Sequence, residues 1–558
     1  MNYFEELISF VKKEKPSKKK LNNKKIELCK KHKVRRIPTD IEVLCNAKKE
    51  DLEFLNKYLI TKPTRTISGV AVIAVMSAPF VCPHGKCTYC PGGPNSSFGN
   101  VPQSYTGNEP STMRGIRNDY DSYRIVFNRL EQYIVIGQNP EKADVIVMGG
   151  TFPAFEENYK RDFIMNIYKA MNDFSSNFYD KGKLDIKEFR DFFELPGKVN
   201  DKKREERIKE KVLKLKTESI TNLEKEKKKN ERSNIRCIGL TIETKPDWGL
   251  LKQGNEMLEF GCTRVELGIQ TVYDDVLKRV HRGHGIKESI ESVRTLKDLG
   301  FKINYHMMPG LPGVSEKKDV ESLQEIFKND DFKPDMLKVY PTLVMSGTAL
   351  YVDYRKGIYK PLETKKAAEM IVEMKKIVPK YCRIMRVQRD IPTKVTTAGV
   401  DRTNLRQYVE KLQLEKGVVC NCIRCREIKL DRVKGTPKLE IIEYDASKGK
   451  EFFISFVEDN DKILGFVRLR FVGQSLRSEI TKNSAIIREL HIYGAALGLN
   501  EKGLVQHMGL GKQLVEKAEE IAKKHKRDKI LVISGVGVKE YYRKLGYVDD
   551  GPYVSKEL

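Results

Sequence analysis

No stretch of this sequence reaches the roughly 18 consecutive apolar residues that a membrane-crossing helix needs. The longest apolar run, Val70 to Val81, is shorter and rich in Val and Ile, which reads as a buried strand. The opening residues, MNYFEELISFVKKEK, carry acids where a secretory leader wants positive charge, so the expected location is the cytoplasm, with no membrane partner. No internal repeat is apparent, so the chain divides into unlike parts. Acidic residues are in deficit: 77 Asp and Glu stand against 103 Lys and Arg, a formal net charge of +26. An excess of that size favours a polyanionic partner, because cations that neutralise phosphates release bound counterions. A Lys/Glu-rich surface of the heat-loving kind explains many charges of both signs, but not the imbalance.

With 558 residues there is room for two to four domains, and 32% charged with 40% hydrophobic residues fits a globular protein rather than a disordered one. The 11 cysteines, in a cytosolic setting, point to metals or clusters rather than disulfides. Residues 1 to 40 hold thirteen Lys and Arg against five acids and predict a basic appendage, with short helices around Phe4 to Lys13 and Lys24 to Lys31; a solvated arm is the plainer alternative.

From Ile67 to Val344, strand-like runs alternate with helical segments: Val70–Phe80, Asp144–Gly150, Ile235–Thr241, Arg264–Ile269, Lys302–Met308 and Met336–Tyr340. Such alternation predicts βα units and a parallel sheet, and six units suggest a partial barrel. Each run ends at a polar or Gly-bearing motif, CPHGKCTYCPGGP, GGTFP, IETKPD, GIQT, PGLPG and YPTLV, and in parallel barrels these loops make the active face. The insertion from Asp201 to Arg232, with thirteen basic and eight acidic residues, reads as solvated helices with Glu205–Lys209 and Glu210–Lys214 pairs. From Leu439 the pattern changes to strands followed by helices, an α+β domain.

Cys82, Cys87 and Cys90 have the spacing C-x4-C-x2-C directly after the first barrel strand. Three thiolates on one loop can hold three irons of a [4Fe–4S] cluster and leave the fourth open for a ligand such as S-adenosylmethionine (SAM). Zinc is the alternative for such a set. Gly92 and Gly93, just beyond, would let the backbone approach SAM's amino-acid end closely.

These residues, with PQSYTGNEPSTMR, IGLTIETKPD, RVELGIQT, YHMMPGLPG and RVQRDIP, resemble radical SAM enzymes, and in detail the family of the Elongator catalytic subunit, from about Lys62 to the C-terminus. The resemblance makes Glu243, Glu266 and Gln270 candidate SAM contacts; each also reads as a polar residue satisfied inside the barrel.

Toward the C-terminus, Gln506-His507-Met508-Gly509-Leu510-Gly511, followed by Lys512, precedes a helix in a Q-x-x-G-x-G pattern suited to a pyrophosphate. The strand AIIRELHIYG upstream and ILVISGVG with YYRKLGY downstream look like the GNAT acetyltransferase type. In that family the strand carrying Glu489, Leu490, His491 and Ile492 faces the thioester of acetyl-CoA. Tyr541 and Tyr542 stand where a hydroxyl would protonate the leaving sulfur, with aromatic packing as the alternative. Glu489 and His491 share one face of the strand, where one would activate water or both would sit satisfied in the core.

Between the modules, Cys420, Cys422 and Cys425 form C-x-C-x2-C, with Cys382 as a candidate fourth ligand: a structural zinc corner, a second cluster or idle thiols. Cys29, Cys45, Cys237 and Cys262 lack ligand spacing. The expected organisation is a basic tRNA-binding segment over 1–61, a partial (βα)6 radical SAM barrel over 62–378 with a charged insertion near 180–232, a cysteine-bearing linker over 379–438, and an α+β acetyl-CoA domain of the GNAT type over 439–558. The resemblance implies a transferase that places a carboxymethyl group on carbon five of the tRNA wobble uridine. SAM radical chemistry would activate the acetyl methyl group of acetyl-CoA, and thioester hydrolysis would free the carboxylate. It also implies an electron donor for the cluster, and leaves accessory Elongator-like subunits and a homodimer open as partners. The competing function is a protein lysine acetyltransferase, which gives the cysteine loop no chemical role.

Overall fold

Seven strands in sequential order make the first sheet of the computed structural model: β1 (Val70–Met76), β2 (Lys142–Met148), β3 (Arg236–Thr244), β4 (Arg264–Gln270), β5 (Lys302–Met307), β6 (Met336–Val339) and β7 (Arg383–Arg386). From β3 onward every neighbouring pair is parallel. The six expected strands are present, and a seventh, β7, comes from the stretch read as linker. The structure describes residues 1–34, 37–59, 69–195, 197, 201–428, 433, 435–493 and 509–558. They form two units, one of Met1–Ile73, Tyr123–Ala143 and Met165–Cys237, the other of Ala74–Ser122, Asp144–Ile164 and Ile238–Leu558.

In the first unit the N-terminal segment folds as four helices, α1 (Tyr3–Glu14), α2 (Lys18–Lys31), α3 (Asp40–Cys45) and α4 (Leu52–Leu59). Tyr3, Leu7 and Val11 recur four apart on one face of α1 and pack with Leu21, Leu28, Val43, Leu55 and Leu59 into a small core. The segment is therefore a folded helical unit rather than a solvated arm, and α2 begins six residues earlier than expected. Several of its cations are already paired: Lys12 with Asp51, Lys18 and the buried Lys25 with Asp40, Lys31 with Glu6. The charged insertion forms the helices Lys202–Thr217 and Leu223–Asn230.

In the second unit, the second sheet runs β8 (Lys438–Ala446), β9 (Gly449–Val457), β10 (Ile463–Phe471), β11 (Ser484–Ile492), β12 (Lys529–Val532), β14 (Tyr553–Glu557) and β13 (Val548–Asp550). Pairings are antiparallel except β11 with β12, which run parallel from Ser484–Ile487 against Lys529–Val532. Past Ile487, β11 continues to Ile492 with only β10 beside it among the described residues. One face of this sheet is covered by the helix Leu510–Lys524, whose Leu514, Val515 and Ala518 join Ile454, Val467, Leu469 and Ile487 in the core. The other face meets the N-terminal ends of the barrel strands: Arg470 binds Asp298 just before β5, and Arg488 binds Asp335 just before β6.

Candidate functional site

The loop after β1 holds Cys82, Cys87 and Cys90, all buried. It is pinned from two sides, by Thr88 N–H to the Val280 carbonyl (3.1 Å) and by Leu350 N–H to the Thr88 carbonyl (2.9 Å). Two sets of three ligand side chains close to within 4.8 Å among the described residues, and this triplet is not one of them. A single tetrahedral ion with thiolate bonds of about 2.3 Å would draw its sulfurs to about 3.8 Å. The wider spacing suits a multi-iron cluster.

Burial pushes the Cys90 thiol up to about 11 and raises Cys82, so as bare thiols they are protonated and their charge awaits a metal. A fixed cation stands ready beside them. Arg282 is buried, with Nη1 3.8 Å from Cys87 Sγ and Nη2 donating to the Gly268 carbonyl at 2.8 Å. Gly268 leaves room for it: a Cβ there would lie 2.3 Å from Nη2 and would push the guanidinium aside. Gly92 is required for a related reason, since a Cβ would lie 2.2 Å from the Pro102 carbonyl oxygen, while Gly93 backs onto the Gln103 amide. Gln103 and the Ser104 N–H in turn contact Cys90 Sγ at 3.0 and 3.3 Å.

Parallel register places Glu243 beside Glu266 and Glu266 beside Asn304, with Lys338 beside His306. The barrel interior is thus polar where such interiors are usually filled by branched apolar side chains. Burial opposes ionisation of Glu266, but the Lys338 ammonium and His306 (2.7 Å) outweigh it and hold the carboxyl well below its usual range. Glu243 accepts from the Tyr105 hydroxyl at 2.9 Å. Glu243, Glu266 and His306 form one of the two tight ligand sets, with the Lys338 cation already bonded to Glu266. Among the described residues, several buried polar atoms make no hydrogen bond: Glu266 Oε1 (with Arg264 Nε no nearer than 3.9 Å), Gln270 Oε1, Thr241 Oγ1 and both side-chain atoms of Asn304. Unpaired buried groups are costly, so this surface suits a polar ligand. Gln270 sits at a register shift with φ of 71°. Tyr105, Arg282, Asn304, His306 and Lys338 were not singled out from sequence, although all but Arg282 lie within the quoted motifs and runs.

In the second sheet, Tyr493 N–H donates to the Leu464 carbonyl at 2.8 Å. By the alternation of an antiparallel ladder, the N–H groups of Ile492 and Leu490 then point away from β10, to the side β12 has left. Nearby, Gly509 caps the helix Leu510–Lys524 in a left-handed conformation and brings no side chain of its own to the first-turn N–H groups. Gln506, His507 and Met508 lie outside the described residues. Lys512, in the first turn, reaches Glu516 at 3.5 Å.

The two tyrosines part company. Tyr541 is exposed and its hydroxyl lies 3.0 Å from where a Cβ of Gly511 would stand, next to Ile492. Tyr542 is buried in the core with Leu514 and Tyr547. On the opposite face of β11, Glu489 is held by Arg468 Nε at 2.9 Å, and His491 stacks on Phe466 and Tyr493. Burial drives the His491 pKa down to about 4.

Cys420, Cys422 and Cys425 make the other tight set, closing to within 4.8 Å as a single ion requires. Fully buried Cys382 is not in that set; its carbonyl accepts from Ile423 N–H at 3.0 Å.

A parallel half-barrel with a cluster-type cysteine loop, followed by a splayed α+β sheet with a glycine-started helix, defines a radical SAM enzyme carrying an acetyltransferase domain. Family models agree: the Radical SAM superfamily matches residues 77–326, the Radical_SAM C-terminal domain 334–414, and the Acetyltransferase (GNAT) family 425–547, while the ELP3 N-terminal domain matches 2–67. The chain is 42% identical to a tRNA uridine(34) acetyltransferase of Methanocaldococcus infernus over 99% of its own length and 98% of that protein. It is 37% identical to Elongator complex protein 3 of Saccharomyces cerevisiae, over 96% and 92%. The solved structure of the archaeal Methanocaldococcus infernus Elp3, lacking residues 1–46, superposes with a TM-score of 0.71 at 37% identity, covering 88% of this chain and 100% of that one. The protein belongs to the Elongator complex protein 3 family.

Proposed function

We propose that this protein modifies the wobble uridine of tRNA in the cytoplasm, placing a carboxymethyl group on carbon five with acetyl-CoA as the carbon donor. The observation that carries the reading is the presence, on one chain, of a buried three-cysteine loop with an attendant Arg282 and an open strand edge suited to a thioester. Near full-length likeness to a protein named tRNA uridine(34) acetyltransferase supports it. Neither module alone explains the other, which disfavours a lysine acetyltransferase. No helix among the described residues is long and apolar enough to cross a membrane.

In this reading Cys82, Cys87 and Cys90 hold the [4Fe–4S] cluster, and Glu243, Glu266, Gln270 and Asn304 receive SAM's polar groups. The cluster with SAM, given an electron donor, supplies a 5′-deoxyadenosyl radical. Arg282 balances thiolate charge in a site that excludes water. The Leu490 and Ile492 N–H groups donate to the thioester carbonyl, and the start of the helix at Gly509–Lys512 receives the pyrophosphate. Tyr541, whose pKa burial raises, stays protonated at neutral pH and gives its proton to the departing sulfur. Tyr542 supports that helix from the core. Glu489, tied to Arg468, positions the strand. Cys420, Cys422 and Cys425 hold a zinc ion that braces the chain between the modules.

The test is anaerobic reconstitution with iron, SAM, reductant, tRNA and methyl-labelled acetyl-CoA, followed by mass spectrometry of the nucleosides. Label in a carboxymethylated uridine at the wobble position is expected. Unlabelled, unmodified tRNA from enzyme with a full cluster and active SAM cleavage overturns the reading.

A further inference from the structure

Strand β7 ends at Arg386, and the chain beyond it turns back with the start of the helix Leu405–Glu415 to line an open cavity of about 510 Å³. Four guanidinium groups line it, Arg386, Arg389, Arg406 and Arg424, against a single carboxylate, Asp390. That carboxylate is bonded to Arg386, and Arg389 donates to the Ser104 carbonyl. Among the described residues, the Arg406 guanidinium makes one hydrogen bond, to the Met385 carbonyl at 3.3 Å, and no ion pair. Arg424 has no hydrogen bond or ion pair among the described residues. The helix start adds the positive end of a backbone dipole; its Leu405 N–H is taken by Gln388 Oε1 at 3.1 Å, and Asn404 does not cap it with its side chain.

The cavity adjoins the candidate radical site. Because β7 is parallel to β6, Arg386 emerges at the same end of the barrel as the loops after the other strands. Its charge is felt by Lys338 and by Tyr340. Arg389 holds Ser104, whose N–H contacts Cys90 Sγ. An anion seated here would therefore lie next to the place where a substrate is activated.

We propose that this arginine cavity binds the sugar-phosphate backbone of the RNA strand beside the nucleotide presented to the radical site. Planar guanidinium forks match phosphate oxygens in pairs, and four of them against one acid exceed what a lone monoanion needs. Two consecutive phosphodiesters of an unpaired loop supply matching charge at matching spacing. The proposal rests on the reading of the protein as a tRNA-modifying enzyme, and assigns Arg406 and Arg424 as the anchors.

The experiment uses the full chain and an anticodon stem–loop RNA, with affinity measured over a salt series. Iron content and thermal midpoint report that each variant is folded. Arg424→Gln and Arg406→Gln should each make the salt dependence shallower, by about 0.7 in the log–log slope, the value of one single-strand phosphate neutralised. Each should weaken binding about tenfold at physiological salt, whereas Arg424→Lys keeps the slope. A neutral methylphosphonate linkage flanking the target uridine should cost the natural protein about tenfold and cost Arg424→Gln nothing further. Unchanged affinity and slope in both Gln variants, with the natural protein binding RNA normally, overturns the cavity assignment and leaves the tRNA reading intact. Saturable binding of inorganic phosphate that is abolished in Arg424→Gln while RNA binding is unaffected overturns it in favour of a free anion. Failure of the natural protein to bind the stem–loop at any salt overturns both.

Discussion

Arg488 grips Asp335 with both arms of its guanidinium, Nη1 to Oδ2 and Nη2 to Oδ1, each at 2.7 Å, and both side chains are fully buried. The pair joins β11 of the acetyltransferase sheet to the start of β6 of the barrel. Register explains how Arg488 gets there: β10 and β11 slip between Arg468 and Leu469, so Arg468 faces Glu489, Leu469 faces Ile487, and Arg488 is left over as a bulge. Glu451 takes the other side of Arg488 at 2.8 Å.

Arg488→Ala takes the two-armed partner from buried Asp335, leaving it Arg468 at 3.6 Å and the Ile303 N–H, and leaves Glu451 with Arg470 alone; it should lower stability by about 3 kcal/mol, read as a lower midpoint in urea unfolding. The triple variant Arg488→Met, Asp335→Leu, Glu451→Leu should recover part of that loss: it removes three buried charges and leaves Arg470 on Asp298 and Arg468 on Glu489, but takes the acceptor from the Ile303 N–H. A single-variant loss below about 1 kcal/mol would show that the clamp is not holding the modules.

The separation of the two tyrosines predicts opposite kinetic behaviour. Tyr541→Phe should slow CoA release from acetyl-CoA at least about tenfold, about 1.4 kcal/mol in the barrier. Tyr542→Phe, which keeps the core aromatic, should leave the rate within about twofold. Free-thiol detection measures both. In the natural protein the release should rise at least roughly tenfold when tRNA is added, since an enzyme that hydrolysed acetyl-CoA without substrate would waste it.

The two cysteine groups should load independently. Cys82/Cys87/Cys90→Ala should abolish iron and its absorbance while the second metal is retained. Cys420/Cys422/Cys425→Ser should remove the second metal, lower the thermal midpoint and spare the iron. Elemental analysis of both proteins decides, and co-loss in either direction argues against separate sites.

Exposed cations on and just after α2 that make no ion pair among the described residues, Lys19, Lys20, Lys30 and Lys33, are better probes than deletion, which would destroy the small core that α1 and α2 share with α3 and α4. Changing all four to Gln should reduce the salt slope of tRNA binding by about 0.7 for each phosphate that these lysines neutralise. An unchanged slope in filter binding would take this face out of the RNA surface.

His491 carries a pH signature. Its folded pKa, about 4, lies below the unfolded value of about 6.5, so between these values the unfolded chain binds more protons. This group therefore costs no stability above about pH 6.5 and progressively lowers it as pH falls toward 4. His491→Gln should flatten the stability profile across that window in urea titrations; a profile identical to the natural protein would mean the imidazole titrates normally.

The strand runs, the cysteine spacing and the glycine-started helix were legible because each is a local pattern: alternation, C-x4-C-x2-C, and Gly before an amphipathic stretch. By itself the sequence determined the half-barrel, the second α+β sheet, their order and the residues on the loops after the strands. Tyr541 and Tyr542 could not be told apart that way, because adjacent residues on a short helix differ only in which neighbour each meets. Arg383–Arg386 read as linker because a four-residue strand has no period to detect, and its place beside β6 is a long-range pairing. Arg282 and Lys338 belong to no pattern of their own in the sequence; folding brings them beside Cys87 and Glu266. Only the tertiary structure decided these matters, because burial, charge pairing and close approach at Gly268 and Gly511 depend on segments distant in the chain, and no window of sequence contains both partners.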